Sequence, residues 1–276
     1  MRKKQAYNTE NKLVKWSLII ISITFLVLML GFPLAVIIKE SLRKGIDSYI
    51  TAVTDKYTFD AIWLTILATI ISVVLNSIFG VLAAFAITKF KFKGKNILVS
   101  LIDLPFAISP IIAGLIFVLT FGRGGMFDGF LESNNIKIIF AIPGIVLATL
   151  FVTFPFVARE LIPLMNSQGA DEEEAAAMMG ASGLRTFMKV TLPNIKWGLM
   201  YGITLCTARA MGEFGAVSVV SGHIRGKTNT LPLHVEILYN EYQFSAAFAV
   251  SSILVVIAII ILILRNIVEW KTKRTG

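Results

Sequence analysis

The chain contains 276 residues, of which 56% are hydrophobic and only 16% are charged, and its mean hydropathy is +0.77. Soluble domains carry about 25% charged residues, so this composition excludes an ordinary soluble domain and indicates an integral membrane protein. The formal net charge is +9. In a membrane protein an excess of lysine and arginine is typical of loops held inside the cell, so nucleic acid is not expected as a partner.

Six apolar stretches are long enough to cross a bilayer, which takes about 20 residues in a helix. The predicted spans are 16–38, 61–88, 97–121, 138–156, 195–220 and 244–264. The first stretch is not predicted to be a signal peptide, because its apolar core is too long and no small-residue cleavage site follows it. It is therefore predicted to stay as a helix. We expect Pro105, Pro110 and Pro143 to bend or break their helices. Asn76, near the middle of the second span, is expected to hydrogen-bond a neighbouring helix.

The distribution of basic residues predicts the orientation of these spans. One set of connections, which includes both termini and the KFKFKGK turn at 89–95, holds about twice as many lysines and arginines as the other set. Both termini are therefore predicted to be cytoplasmic, as an N-terminal tail over 1–15 and a C-terminal tail over 266–276.

The stretch SGHIRGKT at 221–228 is one residue out of register with a phosphate-binding loop, because Ser221 stands where that loop needs its first glycine. It follows an apolar span on the predicted outer face, away from cytoplasmic ATP, so a glycine-rich turn is favoured. His223 and His234 lie in this part of the chain without further ligands, and Cys206 is alone. No metal, cofactor or disulfide is expected on this chain.

The longest cytoplasmic connection, 157–196, contains DEEEAAAMMGASGLRTFMKVTLP. Four carboxylates from Asp171 predict a helix start, alanines favour the helix, and Gly180 is expected to end it. Ser182 is expected to cap a second short helix, and Leu192-Pro193 to stop that helix and turn the chain into the next span. A small-residue surface beside apolar side chains fits docking onto another protein, and it fits packing against the chain's own bundle equally well.

This segment resembles the EAA loop of ABC-importer permeases at every fixed position. The matching residues are Glu174, Ala175, Ala176, Gly180, Leu192 and Pro193, with Val190 where isoleucine is usual. In that family the loop lies in a groove of a separate ATPase subunit. The resemblance therefore implies that these residues transmit ATPase closure to the membrane helices, and that ATP and magnesium bind only on the partner ATPase.

The resemblance covers about 58–265. Within it, residues 103–117 and 208–242 are similar to the sulfate/thiosulfate branch, most closely to its W-type permease subunit, which pairs with a T-type subunit. It implies a type I ABC importer permease fold, all-α with six membrane helices. The implied partners are a second permease subunit (a T-type homologue or a second copy), two ATPase subunits, an extracytoplasmic anion-binding protein and membrane lipid.

Charged residues at membrane depth are costly and usually face a bundle interior or a water path. Arg209 and Glu213 are four residues apart in the fifth span, which places them on one helix face. They are interpreted either as a gate or anion-path pair, or as an internal ion pair that fixes helix packing. Asp103 in the third span is a further candidate for the path, or an interfacial residue.

The resemblance implies a multi-pass subunit of the inner membrane that moves an anion and catalyses no reaction itself. Molybdate or tungstate remains the alternative solute. A self-contained secondary anion transporter is the alternative of a different class, although it would not need an EAA loop. An intramembrane enzyme is disfavoured, because Asp103 has no aspartate partner within the spans.

Overall fold

The computed structural model describes residues 12–275, and these residues form helices and turns without a β-strand. The predicted all-α architecture is confirmed. The first eleven residues of the predicted N-terminal tail lie outside the described residues, and helix already begins at Lys12.

The N-terminal helical stretch makes little contact with the rest of the chain. It consists of α1 (Lys12–Leu26), a π-helical turn (Val27–Gly31) and α2 (Phe32–Ser41). The π-helical turn immediately precedes Phe32-Pro33, where proline lacks the N–H that a regular helix would use. Of this stretch α2 packs most closely, against the last helix of the chain, and no residue in the most apolar part of the stretch is buried.

The helix α4 (Lys56–Lys89) is the centre of the bundle. It follows the short α3 (Ile46–Val53), and Asp55 caps it by accepting a hydrogen bond from the backbone N–H of Tyr57 at 2.9 Å. Its buried face carries Asn76, whose amide donates to the carbonyl of Leu150 at 3.1 Å and to Thr153 Oγ1 at 2.8 Å. The expectation that Asn76 bonds a neighbouring helix is confirmed.

The predicted third span is broken into α5 (Lys95–Ala107) and α6 (Pro110–Phe121), which meet at an angle of 108°. The break precedes Pro110, because a proline disfavours helical geometry in the residue before it. The expected break at Pro110 is therefore confirmed. Pro105 lies inside α5, which ends two residues later.

The predicted fourth span is displaced toward the C-terminus. After α7 (Asp128–Ser133), α8 (Ile142–Thr153) and α9 (Pro155–Gln168) follow each other without a loop. Residues 157–168, predicted as the start of the connection, are therefore helix. The expectation that Pro143 bends or breaks its helix is wrong, because Pro143 lies in the first turn of α8, where its missing N–H has no helical partner to lose.

The next stretch is helical for most of its length. It comprises α10 (Asp171–Met178), α11 (Gly183–Thr186), a π-helical turn (Phe187–Thr191), α12 (Leu192–Met211) and α13 (Gly215–Val220). The prediction that Leu192-Pro193 stops the second short helix is wrong. The π-helical turn accommodates the proline, and α11 continues through it into α12. Ser182 precedes α11, but its side chain makes no capping hydrogen bond.

The chain ends with α14 (Leu231–Asn240) and α15 (Phe244–Thr275), and α15 runs on through most of the predicted C-terminal tail. Four helical stretches among residues 12–275 are long and apolar enough to span a membrane, and α5–α6 is a fifth if the bent pair is one span. The four are Val14–Ser41, Lys56–Lys89, Ile142–Gln168 and Phe244–Ile267. The predicted fifth span, 195–220, is not among them: α12 carries Lys196 and Arg209, and α13 has only six residues.

Candidate coupling segment and translocation path

The α9–α12 connection, residues 169–191, contains the helix α10 and a defined helix end. Asp171 and three glutamates occupy the first turn of α10, where carboxylates interact favourably with the free backbone N–H groups. At the other end the N–H of Ala181 donates to Ala176 at 3.0 Å, and that of Gly180 donates to Ala177 at 2.9 Å. This pair of bonds is a Schellman motif, and Gly180 adopts the left-handed φ of +80° that it needs.

One side of α10 is held to the chain. Glu172 accepts a hydrogen bond from the side-chain amide of Asn194 at the start of α12. Glu173 lies 2.9 Å from Lys89 Nζ at the end of α4 and also accepts from Thr191 Oγ1 at 3.1 Å. The helix is therefore attached at two points to helices that continue into the apolar part of the molecule.

The opposite side of this connection is uncovered by the described residues. Glu174, Ala175 and Gly180 are exposed, whereas Ala176 is buried. Four apolar side chains, which we name the apolar patch, lie around them: Met178, Met179, Leu184 and Met188, of which Met178 is 91% exposed. Large exposed apolar patches are typical of interaction surfaces, and this one fits the docking interpretation. The segment therefore has a fixed side and a free side.

The charged pair in the fifth predicted span lies where α12 ends. Arg209 Nη1 is 2.6 Å from Glu213 Oε2, and Glu213 Oε1 accepts a hydrogen bond from the backbone N–H of Ala216 at 2.9 Å. The carboxylate is almost fully buried, while a third of the Arg209 side chain is exposed. One glutamate thus connects α12 to the first turn of α13 across the break at 212–214.

The two broken spans contact each other close to their breaks. A Cβ added to Gly215 would lie 2.9 Å from Pro110 Cβ, and a Cβ added to Gly114 would lie 2.7 Å from the carbonyl oxygen of Ala216. Glycine at these two positions lets α13 lie directly on α6. Broken helices at membrane depth are tolerated where they are buried in protein or line a water-filled path. The sequence pattern predicted the break at Pro110, but neither the break at 212–214 nor the contact between the two breaks.

Asp103 has a partner that sequence reasoning missed. It forms a bidentate ion pair with Arg159 on α9, with Arg159 Nε 2.7 Å from Oδ1 and Nη2 3.2 Å from Oδ2. The guanidinium also lies 5.0 Å from the ring centroid of Phe106. Asp103 is therefore paired with α9, and the structure does not bring it into the Arg209–Glu213 pair. Residues 56 apart in sequence carry no local signal for such a contact.

The α13–α14 connection, residues 221–230, is bonded to its own chain. Thr228 Oγ1 accepts from the N–H of Ile224 at 3.2 Å, and Ser221 Oγ accepts from the N–H of His223 at 3.2 Å. Arg225 lies 2.5 Å from Glu241 and over the ring of Tyr57. These bonds engage two backbone N–H groups of the loop and the Thr228 hydroxyl, which a phosphate-binding loop would present to a nucleotide.

A buried histidine follows this connection. Thr58 Oγ1 donates to the carbonyl of Ala52 at 2.9 Å, so it accepts the proton of His234 Nε2 at 3.2 Å. The other ring nitrogen, Nδ1, then accepts from the side-chain amide of Asn229 at 3.3 Å. This network assigns His234 as neutral. Burial lowers the pKa of His234, and the charge of Arg225 lowers it further, against smaller opposing contributions from Asp55 and Glu241. Among the described residues, no group of three or more His, Cys, Asp or Glu side chains is arranged to hold a metal.

Comparison with proteins of known structure supports the helical arrangement. A bacterial ABC transporter that imports the acidic polysaccharide alginate superposes with a TM-score of 0.77 over 95% of this chain and 95% of its own, at 15% sequence identity. At that identity the likeness concerns the fold alone.

Comparison of sequences is more specific. The sulfate transport system permease protein CysW of Synechococcus elongatus is 49% identical over 274 residues, which are 99% of this chain and 96% of that protein. The Escherichia coli K12 protein of the same name is 46% identical over 259 residues, 94% of this chain and 89% of the relative. The CysT protein of Salmonella typhimurium is 33% identical over 253 residues, 92% of this chain and 91% of the relative. The family model described as "Binding-protein-dependent transport system inner membrane component" matches residues 76–274, and the chain belongs to that family.

Proposed function

We propose that this chain is a membrane permease subunit of an ATP-driven importer of sulfate or thiosulfate. The observation that carries the solute assignment is the similarity, over nearly the full length of both chains, to relatives named as sulfate transport permeases. The chain would form half of the translocation path and would not act chemically on the solute. It would work as one of two permease subunits, and the similarity to proteins named CysW and to others named CysT favours a partner of the second kind.

The proposed coupling element is the α9–α12 connection. Its exposed side, with Glu174, Ala175 and Gly180 beside the apolar patch, would lie against a separate ATPase subunit that binds ATP and magnesium. Its held side would carry the resulting movement into α4 and α12. The residues of this chain act by contact and displacement, so a change on the exposed side is expected to uncouple transport without unfolding the chain.

The proposed path runs beside the two contacting breaks. The partly exposed Arg209 offers positive charge there, while its ion pair with buried Glu213 moderates the attraction, so an anion would pass without being trapped. The same pair would hold α13 against the end of α12. In this proposal α12 and α13 together form a sixth membrane crossing, in addition to the five suggested by length and composition, which leaves both termini in the cytoplasm. Asp103, in contrast, would affect the path only through its ion pair with Arg159 on α9.

Reconstitution tests the proposal directly. The chain is placed in proteoliposomes with its CysT-like partner, the ATPase and the anion-binding protein, and uptake of radiolabelled sulfate is measured with ATP inside the vesicles. Uptake is expected only with all components, and vesicles with a hydrolysis-deficient ATPase are the matched control. Competition by thiosulfate but not by molybdate would support the solute class. Uphill uptake by the chain alone would show that it is a secondary transporter, and preference for molybdate would overturn the solute assignment.

A further inference from the structure

An ionic junction joins the end of α4 to the beginning of α10. Lys89 is the last residue of α4, and its Nζ lies 2.9 Å from Glu173 Oε1 and 2.5 Å from the carbonyl oxygen of Gly169. The same Oε1 accepts the hydrogen bond from Thr191 Oγ1. We name Lys89, Gly169, Glu173 and Thr191 the α4–α10 junction. It connects α10 and the π-helical turn at 187–191 to the end of α4, which is 80 residues from Gly169 in sequence.

The junction is partly shielded from solvent, unlike a fully exposed surface ion pair. The Lys89 side chain is 12% exposed, the Glu173 side chain is 21% exposed, and Thr191 is buried. Burial raises the pKa of Glu173, but hydrogen bonds from Lys89, from its own backbone N–H and from Thr191 outweigh that effect and hold the pKa below its usual value. Glu173 is therefore charged at neutral pH. Exposed ion pairs contribute little, whereas a shielded, hydrogen-bonded pair holds its geometry.

The helix on the other side of the junction extends across the molecule. With 34 residues α4 is about 51 Å long at 1.5 Å per residue. It packs against α8, α9 and α12. Near its far end Thr65 Oγ1 accepts a hydrogen bond from the N–H of Leu231 at 2.7 Å, and Thr58 contacts His234. A displacement of its Lys89 end would therefore reach the first turn of α14.

We propose that Lys89 is a positioning residue that passes movement of α10 to α4, so that the α9–α12 connection moves three helices together. Two of them, α9 and α12, are joined to this connection through the chain, and α4 is joined to it through the ion pair. The inference rests on the proposed function, because it requires that a partner moves α10. It adds a route of coupling that chain connectivity does not provide.

The test uses the complete importer in proteoliposomes and measures sulfate taken up per ATP hydrolysed. Lys89→Gln removes the charge, and Lys89→Arg keeps a cation that can reach both Glu173 and Gly169. The control is Lys91→Gln, which removes an exposed lysine two residues away. Lys89→Gln is expected to lower uptake per ATP about fivefold or more, within the range of site–site coupling energies. Lys89→Arg is expected to restore most of it, and the control to behave as wild type.

If sulfate uptake and ATP hydrolysis fall together in Lys89→Gln, so that their ratio is unchanged, the inference is overturned. Lost folding or assembly lowers both rates equally and would explain that result. Where Lys89→Gln does not assemble, Glu173→Gln replaces it. This change keeps an amide oxygen that accepts from Lys89 and Thr191 but removes the negative charge. An unchanged ratio of uptake to hydrolysis in Glu173→Gln would also overturn the inference. Failure of the proposed function is distinguishable, since Gly180→Arg would then transport normally. If Gly180→Arg loses coupling while Lys89→Gln keeps the wild-type ratio of sulfate to ATP, the proposed function stands and only the role of the junction is contradicted.

Discussion

The two connections that flank α12 and α13 differ in what their side chains contact. In the α9–α12 connection the residues around Gly180 are exposed, and a Cβ added to Gly180 would meet no neighbouring atom within 4 Å. In the α13–α14 connection Thr228, Asn229 and Thr230 are all buried, and backbone and side chain bond one another. In the proposed function the first is contacted by another protein, whereas the bonds of the second hold its own helices. Substitutions should therefore affect transport in the first and stability in the second.

The largest effect is expected for Gly180→Arg. The side chain would project from the exposed side of α10 and obstruct a partner there, so uptake should fall by about tenfold or more while the chain still reaches the membrane. Because Gly180 has a φ of +80°, any side chain also introduces backbone strain. Gly180→Asn is the matched control, since asparagine tolerates this conformation and adds little bulk. Transport assays on membranes with equal amounts of protein distinguish the two, and normal uptake in Gly180→Arg would remove the coupling role.

A smaller effect is expected for Thr228→Val, and it concerns stability instead of transport. Valine keeps the shape of threonine but removes the acceptor for the Ile224 N–H, which should cost about 1 kcal/mol of stability and leave transport intact. Ser182→Ala is the counterpart in the α9–α12 connection. Its hydroxyl caps nothing, so stability should change by less than about 0.5 kcal/mol.

Cys206 is fully buried and is the chain's lone thiol, so its reaction with a maleimide dye on heating measures unfolding. Equal unfolding temperatures for the two variants would contradict the comparison.

The smallest effect concerns pH. His234 has a lowered pKa in the folded chain, so below about pH 6.5 the unfolded chain takes up a proton that the folded chain refuses. Stability should therefore fall as pH falls from about 6.5 toward the folded pKa, and change little above it. His234→Gln keeps a donor for Thr58 but does not titrate there, so its unfolding temperature should drop less between pH 7.5 and pH 5.5. An identical drop in both proteins would show that His234 does not carry this dependence.

Local chemistry explains which parts of the site could be predicted. The end of α10 at Gly180 was predicted because a left-handed residue after a helix favours glycine, and the break before Pro110 because proline restricts its predecessor. The same rules led to wrong predictions at Pro143 and Pro193. A proline in a first helical turn, or after a π-helical turn, costs little, and the pattern of residues does not distinguish these cases.

The sequence by itself determined the composition of a membrane protein, the all-helical class and the motif in the α9–α12 connection by which the chain resembles its family. The first two follow from hydropathy, and the motif from residues close together in the chain. That one side of this connection is exposed was decided by the tertiary structure. Only the tertiary structure decided that Lys89 pairs with Glu173, that Asp103 pairs with Arg159, and that the breaks beside Pro110 and Gly215 lie in contact. Each of these depends on how helices distant in sequence pack. In a membrane, that packing is selected by close contact and hydrogen bonding, because apolar surface is as well accommodated by lipid as by a neighbouring helix.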